Sequence, residues 1–254
     1  LCIILAEIGK KSKKNIKKSL LSVGVGLFPI LLVFIQPDLG TAMILSIGFA
    51  AALYFSNVSL KTLAILAIGV FFLGVTSWSF LLRDYQKQRI LTFLAPTEDQ
   101  LGQGYHASQA IIAVGSGKLT GRGLGHGVQS SLRFLPERQT DFLFASYAEE
   151  LGFIGVIFLF FLYIVFFILL ISLASRVKDP IGQAYSWSFI TILFVQTAMN
   201  LGMNLGILPI AGVTLPLMSL GGSSVISILF GLGLLSSAYR ANPRRHLVEI
   251  HSFV

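Results

Sequence analysis

Asp141 stands in the stretch Phe134-Leu135-Pro136-Glu137-Arg138-Gln139-Thr140-Asp141-Phe142, and Ala148-Glu149-Glu150-Leu151-Gly152 follows just before an apolar run from Phe153 to Ala174. Carboxylates at the edge of a membrane span are costly unless hydrated, paired or used, so this cluster is a candidate functional site. The chemistry open to Asp141 is acid–base work. The competing reading makes Thr140 or Asp141 the N-cap of the following helix, a role that would hold the carboxylate in its ionised form. If a second carboxylate serves the same pocket, a helical advance of about 100° per residue favours Glu149 over Glu150, which falls on the opposite side. Both could equally form a hydrated helix end.

Positive partners for an anion lie upstream and close by. Arg89 falls in Gln86–Leu94, where charges alternate with apolar residues as in an interfacial helix, and His106–Val114 reads as a second short helix. Lys118 and Arg122 sit in the run Gly115-Ser116-Gly117-Lys118-Leu119-Thr120-Gly121-Arg122-Gly123-Leu124-Gly125-His126-Gly127. Glycines there could bring backbone amides to a phosphate, but the run lacks the G-x-x-x-x-G-K-[ST] arrangement and is read as a flexible loop. Ser219-Leu220-Gly221-Gly222-Ser223-Ser224 opens the last apolar segment. Its small residues either allow close helix packing or, with the amides at that helix start, face an anionic ligand through Ser223.

These residues have to be positioned by a membrane framework. The chain of 254 residues is 54% hydrophobic and 12% charged with 25 glycines, which is outside the range of ordinary soluble domains. Two-residue alternation is absent, which argues against a β-barrel. Apolar segments at 20–35, 41–55, 60–82, 151–174, 184–201 and 222–239 predict an all-α polytopic membrane protein with about six full transmembrane helices. Residues 1–9 read as an N-terminal stub of an earlier helix. The apolar but breaker-rich stretch from Asn200 to Pro216 predicts a re-entrant loop before the last helix. Cys2 is the only cysteine and the four histidines show no ligand spacing, so disulfides and a histidine metal centre are not expected.

Charge orients this framework. The lysines between positions 10 and 18, together with Lys61, Arg176, Lys178, Arg240, Arg244 and Arg245, are placed on one side, which the positive-inside rule makes cytoplasmic. The net charge of +8 therefore belongs to a topology signal that also meets anionic lipid headgroups, and nucleic acid is not an expected partner. On the opposite face lies 83–150, a large extracytoplasmic loop within a single membrane domain over 1–254. A connection of that length is usually functional or disordered.

In order along the chain, Gln36-Pro37-Asp38-Leu39-Gly40-Thr41-Ala42, Gln88-Arg89-Ile90, Gly104-Tyr105, Ala113 to Gly117 into Gly121-Arg122-Gly123, Leu135-Pro136-Glu137, Thr140-Asp141-Phe142, Glu149-Glu150-Leu151-Gly152, Asn200-Leu201-Gly202 and Gly221-Gly222-Ser223-Ser224 resemble the SEDS family of bacterial cell-wall polymerases, nearer its elongation branch than its division branch. The resemblance covers about Leu1 to Tyr239. It implies a ten-span glycosyltransferase that polymerises lipid II on the outer face of the cytoplasmic membrane, with the earliest spans and an external glutamate and lysine lying before Leu1. It maps the family's essential aspartate onto Asp141 and implies a class B penicillin-binding protein as partner. Gln139, where the family often has histidine, and Leu220, where it often has an aromatic residue, depart from the pattern.

That activity joins a sugar hydroxyl to an anomeric carbon as a lipid pyrophosphate leaves, so it needs one general base and stabilisation of the leaving anion. Asp141 is the candidate base. Arg89, Lys118, Arg122, Arg133 and Arg138 are candidates for the pyrophosphate, Arg89 and Arg138 before the others, and a divalent cation could share that role. A flippase for lipid-linked sugar or a non-catalytic scaffold of a wall-synthesis complex are the rival readings.

Overall fold

The computed structural model describes residues 16–36, 38–56, 68, 84–94, 103–131 and 139–241, and every regular element among them is helical. In chain order these are α1 (Ile16–Ile35), α2 (Leu39–Phe55), α3 (Asp84–Leu94), α4 (Gln103–Ser116), α5 (Val128–Ser131), α6 (Leu143–Ser175), α7 (Pro180–Asn204) and α8 (Gly222–Arg240). The stub at 1–9 and nearly all of the segment expected at 60–82 lie outside the described residues. The two interfacial helices expected at 86–94 and 106–114 are α3 and α4, each slightly longer than anticipated, and α5 was not anticipated.

The starts of the long helices follow from local chemistry. Asp38 caps α2 by accepting from the Thr41 amide at 3.0 Å. Asp179 does the same for α7 through Gly182 at 2.9 Å, with Pro180 in the first turn, where its missing N–H is no loss. The N-cap of α6 is instead Phe142, which has no side chain able to cap. The expectation that Thr140 or Asp141 caps α6 is therefore corrected. Asp141 stands one residue before the cap, in a turn whose carbonyls are bound from other elements.

At the centre is α7, which packs against α2, α4, α6 and α8. Five of its polar residues, Ser186, Ser188, Thr197, Asn200 and Asn204, are buried, and the hydroxyls of Ser186, Ser188, Thr191 and Thr197 each donate to the carbonyl four residues back. Small residues let neighbours close in. A Cβ on Gly48 of α2 would overlap Ile192 of α7, and one on Gly231 of α8 would overlap the Phe189 ring. By contrast, α6 and α8 turn long apolar faces outward, including Phe153, Ile157, Phe161, Ile164, Ile168, Ile226 and Phe230. Among the described residues these two helices are long and apolar enough to cross a membrane.

Interruption of α6 at Gly152 (φ 66°, ψ −166°) falls at the second residue of the apolar span expected at 151–174. In an unbroken helix the amides of Phe153 and Ile154 would bond the carbonyls of Glu149 and Glu150. Here those amides donate to Lys118 O (2.9 Å) and Leu119 O (3.1 Å), while Arg122 N and Gly123 N donate to Glu149 O and Glu150 O, both at 3.0 Å. Four bonds to the glycine-rich run replace two within the helix, so the break leaves none of these four groups unpaired. The run is thus neither a phosphate loop nor a free loop, because its backbone is committed to α6. Tyr147 Oη also bridges the break by donating to Gly155 O at 3.1 Å.

Such close backbone contact requires glycine on both sides: a Cβ on Gly121 would overlap Glu150 O, and one on Gly152 would overlap Gly121 N. The backbone conformation of Gly152 alone costs another residue about 1–3 kcal/mol. Gly152→Ala is therefore expected to lower the thermal midpoint in detergent markedly. Gly115→Ala, which meets nothing within 4 Å, should leave it unchanged or raise it slightly. Equal midpoints for the two variants would contradict the exchange of bonds at the break.

Candidate active site

The turn at 139–142 is held from below by side chains of other elements. Asn200 and Asn204, one helical turn apart on α7 and both fully buried, donate from their Nδ2 atoms to the Asp141 carbonyl, each at 3.0 Å. Ser219 Oγ donates to Thr140 O at 2.6 Å, and the Leu220 amide donates to Gln139 O at 2.9 Å. Three successive carbonyls are thereby fixed, which sets the direction in which the Asp141 side chain leaves the backbone. Ala110 and Ala113 of α4 pack against Phe142 and Ala145, and so hold the other side of this turn.

Between α7 and α8, residues 205–221 are irregular but anchored along their length. Asn200 Nδ2 donates to Val213 O (2.6 Å), Gln196 Nε2 to Thr214 O (3.0 Å) and Tyr163 Oη to Pro216 O (2.6 Å). A Cβ on Gly40 at the start of α2 would overlap Ala211 O, so this helix end abuts the segment as well. The starts of α2, α6 and α8 and the end of α7 thus gather around Asp141. At the far end of the helices, Gly182 near the start of α7 faces Ala238 near the end of α8, with 3.1 Å from a Cβ on the one to that of the other.

Two of the candidate residues converge. A Cβ on Gly212 (φ +66°) would lie 3.8 Å from Asp141 Oδ2 and 4.0 Å from Arg89 Nη1. The guanidinium of Arg89 comes from α3, and both side chains are half-buried. Arg89 also lines a cavity of about 70 Å³ with Thr92, Phe93, Ile111, Leu208 and Ile210. A carboxylate, a guanidinium and an apolar recess therefore adjoin one another. The carboxylate can accept a proton, the guanidinium can stabilise an anion, and the recess suits hydrocarbon.

The other candidates are placed differently. Glu149 is fully buried and its Oε1 accepts from the Gln129 amide at 2.9 Å, which ties α5 to α6 about two turns along from Asp141. Lys118 and Arg122 are exposed beside the break in α6, and Arg122 Nε donates to Ser116 Oγ at 3.2 Å. Ser223 is exposed in the first turn of α8, and its carbonyl accepts from Ser227 Oγ at 2.8 Å. Arg133 and Arg138 lie outside the described residues. Sequence reasoning did not single out the supporting roles of Asn200, Asn204 and Ser219, nor the position of Gly212. The available signal was two carboxamides four residues apart in an apolar helix, since buried amides there need partners.

A family model described as a cell cycle protein, covering FtsW, RodA and SpoVE, matches residues 1–243. The chain belongs to the FtsW/RodA/SpoVE family. It is thus an all-α membrane protein, as its sequence resemblance implied. The peptidoglycan glycosyltransferase MrdB of Escherichia coli (strain K12) is 42% identical over 225 residues, which are 87% of this chain and 61% of that protein. A probable peptidoglycan glycosyltransferase FtsW of Halothiobacillus neapolitanus is 38% identical over 222 residues, 85% of this chain and 52% of its own length. The chain therefore spans between about half and three fifths of these relatives. Among solved structures, the rod shape determining protein RodA of Thermus thermophilus matches with a TM-score of 0.62 at 26% identity, over 94% of this chain and 62% of that one. A chain from work on the structural coordination of polymerization and crosslinking by a peptidoglycan synthase complex matches with a TM-score of 0.72 at 29% identity, over 95% and 68%.

The bonds at Asp141 have a direct test. Loss of a buried donor costs about 1–3 kcal/mol, and a carboxylate facing two carbonyls costs more than a gap does. Asn200→Asp is therefore expected to lower the thermal midpoint further than Asn200→Ala. Asn204→Ala should show a non-additive effect with Asn200→Ala, because both amides bind the same carbonyl. An Asn200→Asp protein as stable as the parent would remove the donor role from Asn200.

Proposed function

We propose that this chain carries the catalytic part of a peptidoglycan glycosyltransferase that polymerises lipid II during cell-wall elongation. The convergence of Asp141 Oδ2 and Arg89 Nη1 on Gly212 carries this reading. Polymerisation breaks the bond from the anomeric carbon to the lipid pyrophosphate of the donor and forms a bond from that carbon to the 4-hydroxyl oxygen of the acceptor. Asp141 takes the hydroxyl proton as the oxygen attacks, and the electron pair of the broken bond leaves with the pyrophosphate. Attack opposite the leaving group inverts the α-linkage to β in one displacement.

Arg89 is placed to stabilise the charge that develops on the leaving oxygen, because a guanidinium can pair with two phosphate oxygens at once. The neighbouring apolar recess lies where a lipid-linked anion changes from charged head to hydrocarbon. Lys118, Arg122 and Ser223, all exposed, are further candidates for the anion in this proposal, as is Arg138 by its place in the sequence, and Glu149 holds the segment that carries α5. Among the described residues no three His, Cys, Asp or Glu side chains gather as a metal site.

Orientation follows from charge. Arg176 and Lys178, between α6 and α7, and Arg240, in the last turn of α8, lie at the helix ends remote from Asp141, so the positive-inside rule puts the site on the extracytoplasmic face and the end of α8 in the cytoplasm. The partner that fits a glycan polymerase is a class B penicillin-binding protein, which cross-links the strands. The likeness to a chain from a polymerization and crosslinking complex supports that pairing.

With purified full-length protein and lipid II, Asp141→Asn is expected to reduce glycan formation by at least about 100-fold, the scale of lost general-base catalysis. Translocation of lipid II across vesicles should be the same for parent and variant. Near-normal polymer from Asp141→Asn sinks the base assignment, and loss of translocation alone would favour a flippase.

A further inference from the structure

The positive-φ glycines differ in what their missing side chains leave open. At Gly121 and Gly152 a Cβ would run into backbone, at Gly206 it would meet Ile111, and at Gly125 it would meet nothing within 4 Å. Gly212 differs from all of these, because the two atoms within 4 Å of its Cβ position belong to groups of opposite charge, Asp141 Oδ2 and Arg89 Nη1. Its neighbours are fixed: the start of α2 abuts the Ala211 carbonyl, and the Val213 carbonyl accepts from Asn200. The backbone of Gly212 is also exposed, so a ligand can reach the space above it.

We propose that Gly212 forms the floor of the reaction slot, with the reacting oxygens of the substrate lying where a side chain would otherwise be. This rests on the glycosyltransferase reading above and adds to it the position of the substrate. An oxygen at the Cβ position stands slightly beyond hydrogen-bond range of both groups, which is about 2.7–3.2 Å, so a small shift brings it within reach of either. A sugar hydroxyl on the Asp141 side and a diphosphate oxygen on the Arg89 side fit this space together. A methyl group on Gly212 takes the volume that they need. Gly212 is thus a site-shaping residue, and its left-handed backbone conformation serves to keep a bare Cα beside the two charges.

The test separates the filled space from backbone strain. Asn tolerates positive φ better than most residues, so Gly212→Asn fills the slot with little distortion, and Gly125→Asn (φ +74°) controls for the conformation alone. In full-length protein in detergent, Gly212→Asn and Gly212→Ala are expected to slow polymerisation of lipid II by about 100-fold, the scale of a misplaced reactant. Both should also abolish the rise in thermal midpoint caused by farnesyl diphosphate, while the midpoint of Gly212→Asn without ligand stays near that of Gly125→Asn and that of Gly212→Ala falls below it by the strain of its backbone. Polymerisation within about threefold of the parent in Gly212→Asn would overturn the proposal, since a displaced reactant costs on the order of 100-fold. So would a loss of activity in Gly212→Asn matched by a comparable loss of its unliganded stability relative to Gly125→Asn. If the parent makes no polymer yet gains stability from farnesyl diphosphate in a Gly212-dependent way, the slot stands and the polymerase reading falls.

Discussion

Everything at this site depends on one requirement, that a turn of irregular backbone in an apolar setting must have its carbonyls bonded. Water is scarce there, and an unpaired carbonyl is expensive. The turn at 139–142 meets the requirement with side chains from α7 and with the segment before α8. Because these bonds reach the backbone of Asp141, they set the direction in which its carboxylate leaves the chain. Arrangement in advance of reaction is what makes fixed groups effective in stabilising a transition state.

The same physics recurs at the break in α6. A glycine in a conformation closed to other residues opens the helix, and a strand of loop backbone closes every bond that was opened. Rigidity follows from this exchange, because neither partner can leave without exposing four polar groups. The segment at 103–131 is therefore attached through its main chain to the helix that begins beside Asp141. Glu149 reinforces the attachment at Gln129.

Much of this was legible in the residues. The long apolar runs announced helices, and the breaker-rich stretch after Asn200 announced irregular backbone close to them. Asp141 was legible too, because a carboxylate at such an edge needs a reason. The cap of α6 was not. Local preference favours Thr or Asp at that position, but bonds from residues about sixty to eighty positions away hold the turn in a different register, so Phe142 takes the cap. Nor did the glycine-rich run disclose its role, since glycines that permit approach to an anion also permit approach to another backbone. The convergence of Arg89 and Asp141 depends on a third segment, around Gly212, and no local pattern reports three-way proximity.

The polar burden of α7 bears on how the protein is made. With 25 residues this helix is long enough to cross a bilayer, yet among the described residues only α6 and α8 combine such length with sufficient apolarity. A segment carrying Ser186, Ser188, Gln196, Asn200 and Asn204 gains little from entering lipid by itself, and beyond the bonds of Asn204 to Asn200 its asparagines find their partners in the turn before α6 and the segment before α8. Stable insertion of α7 is therefore tied to the helices that pack against it, and the helix that fixes the turn at Asp141 is the one with least reason to enter lipid alone.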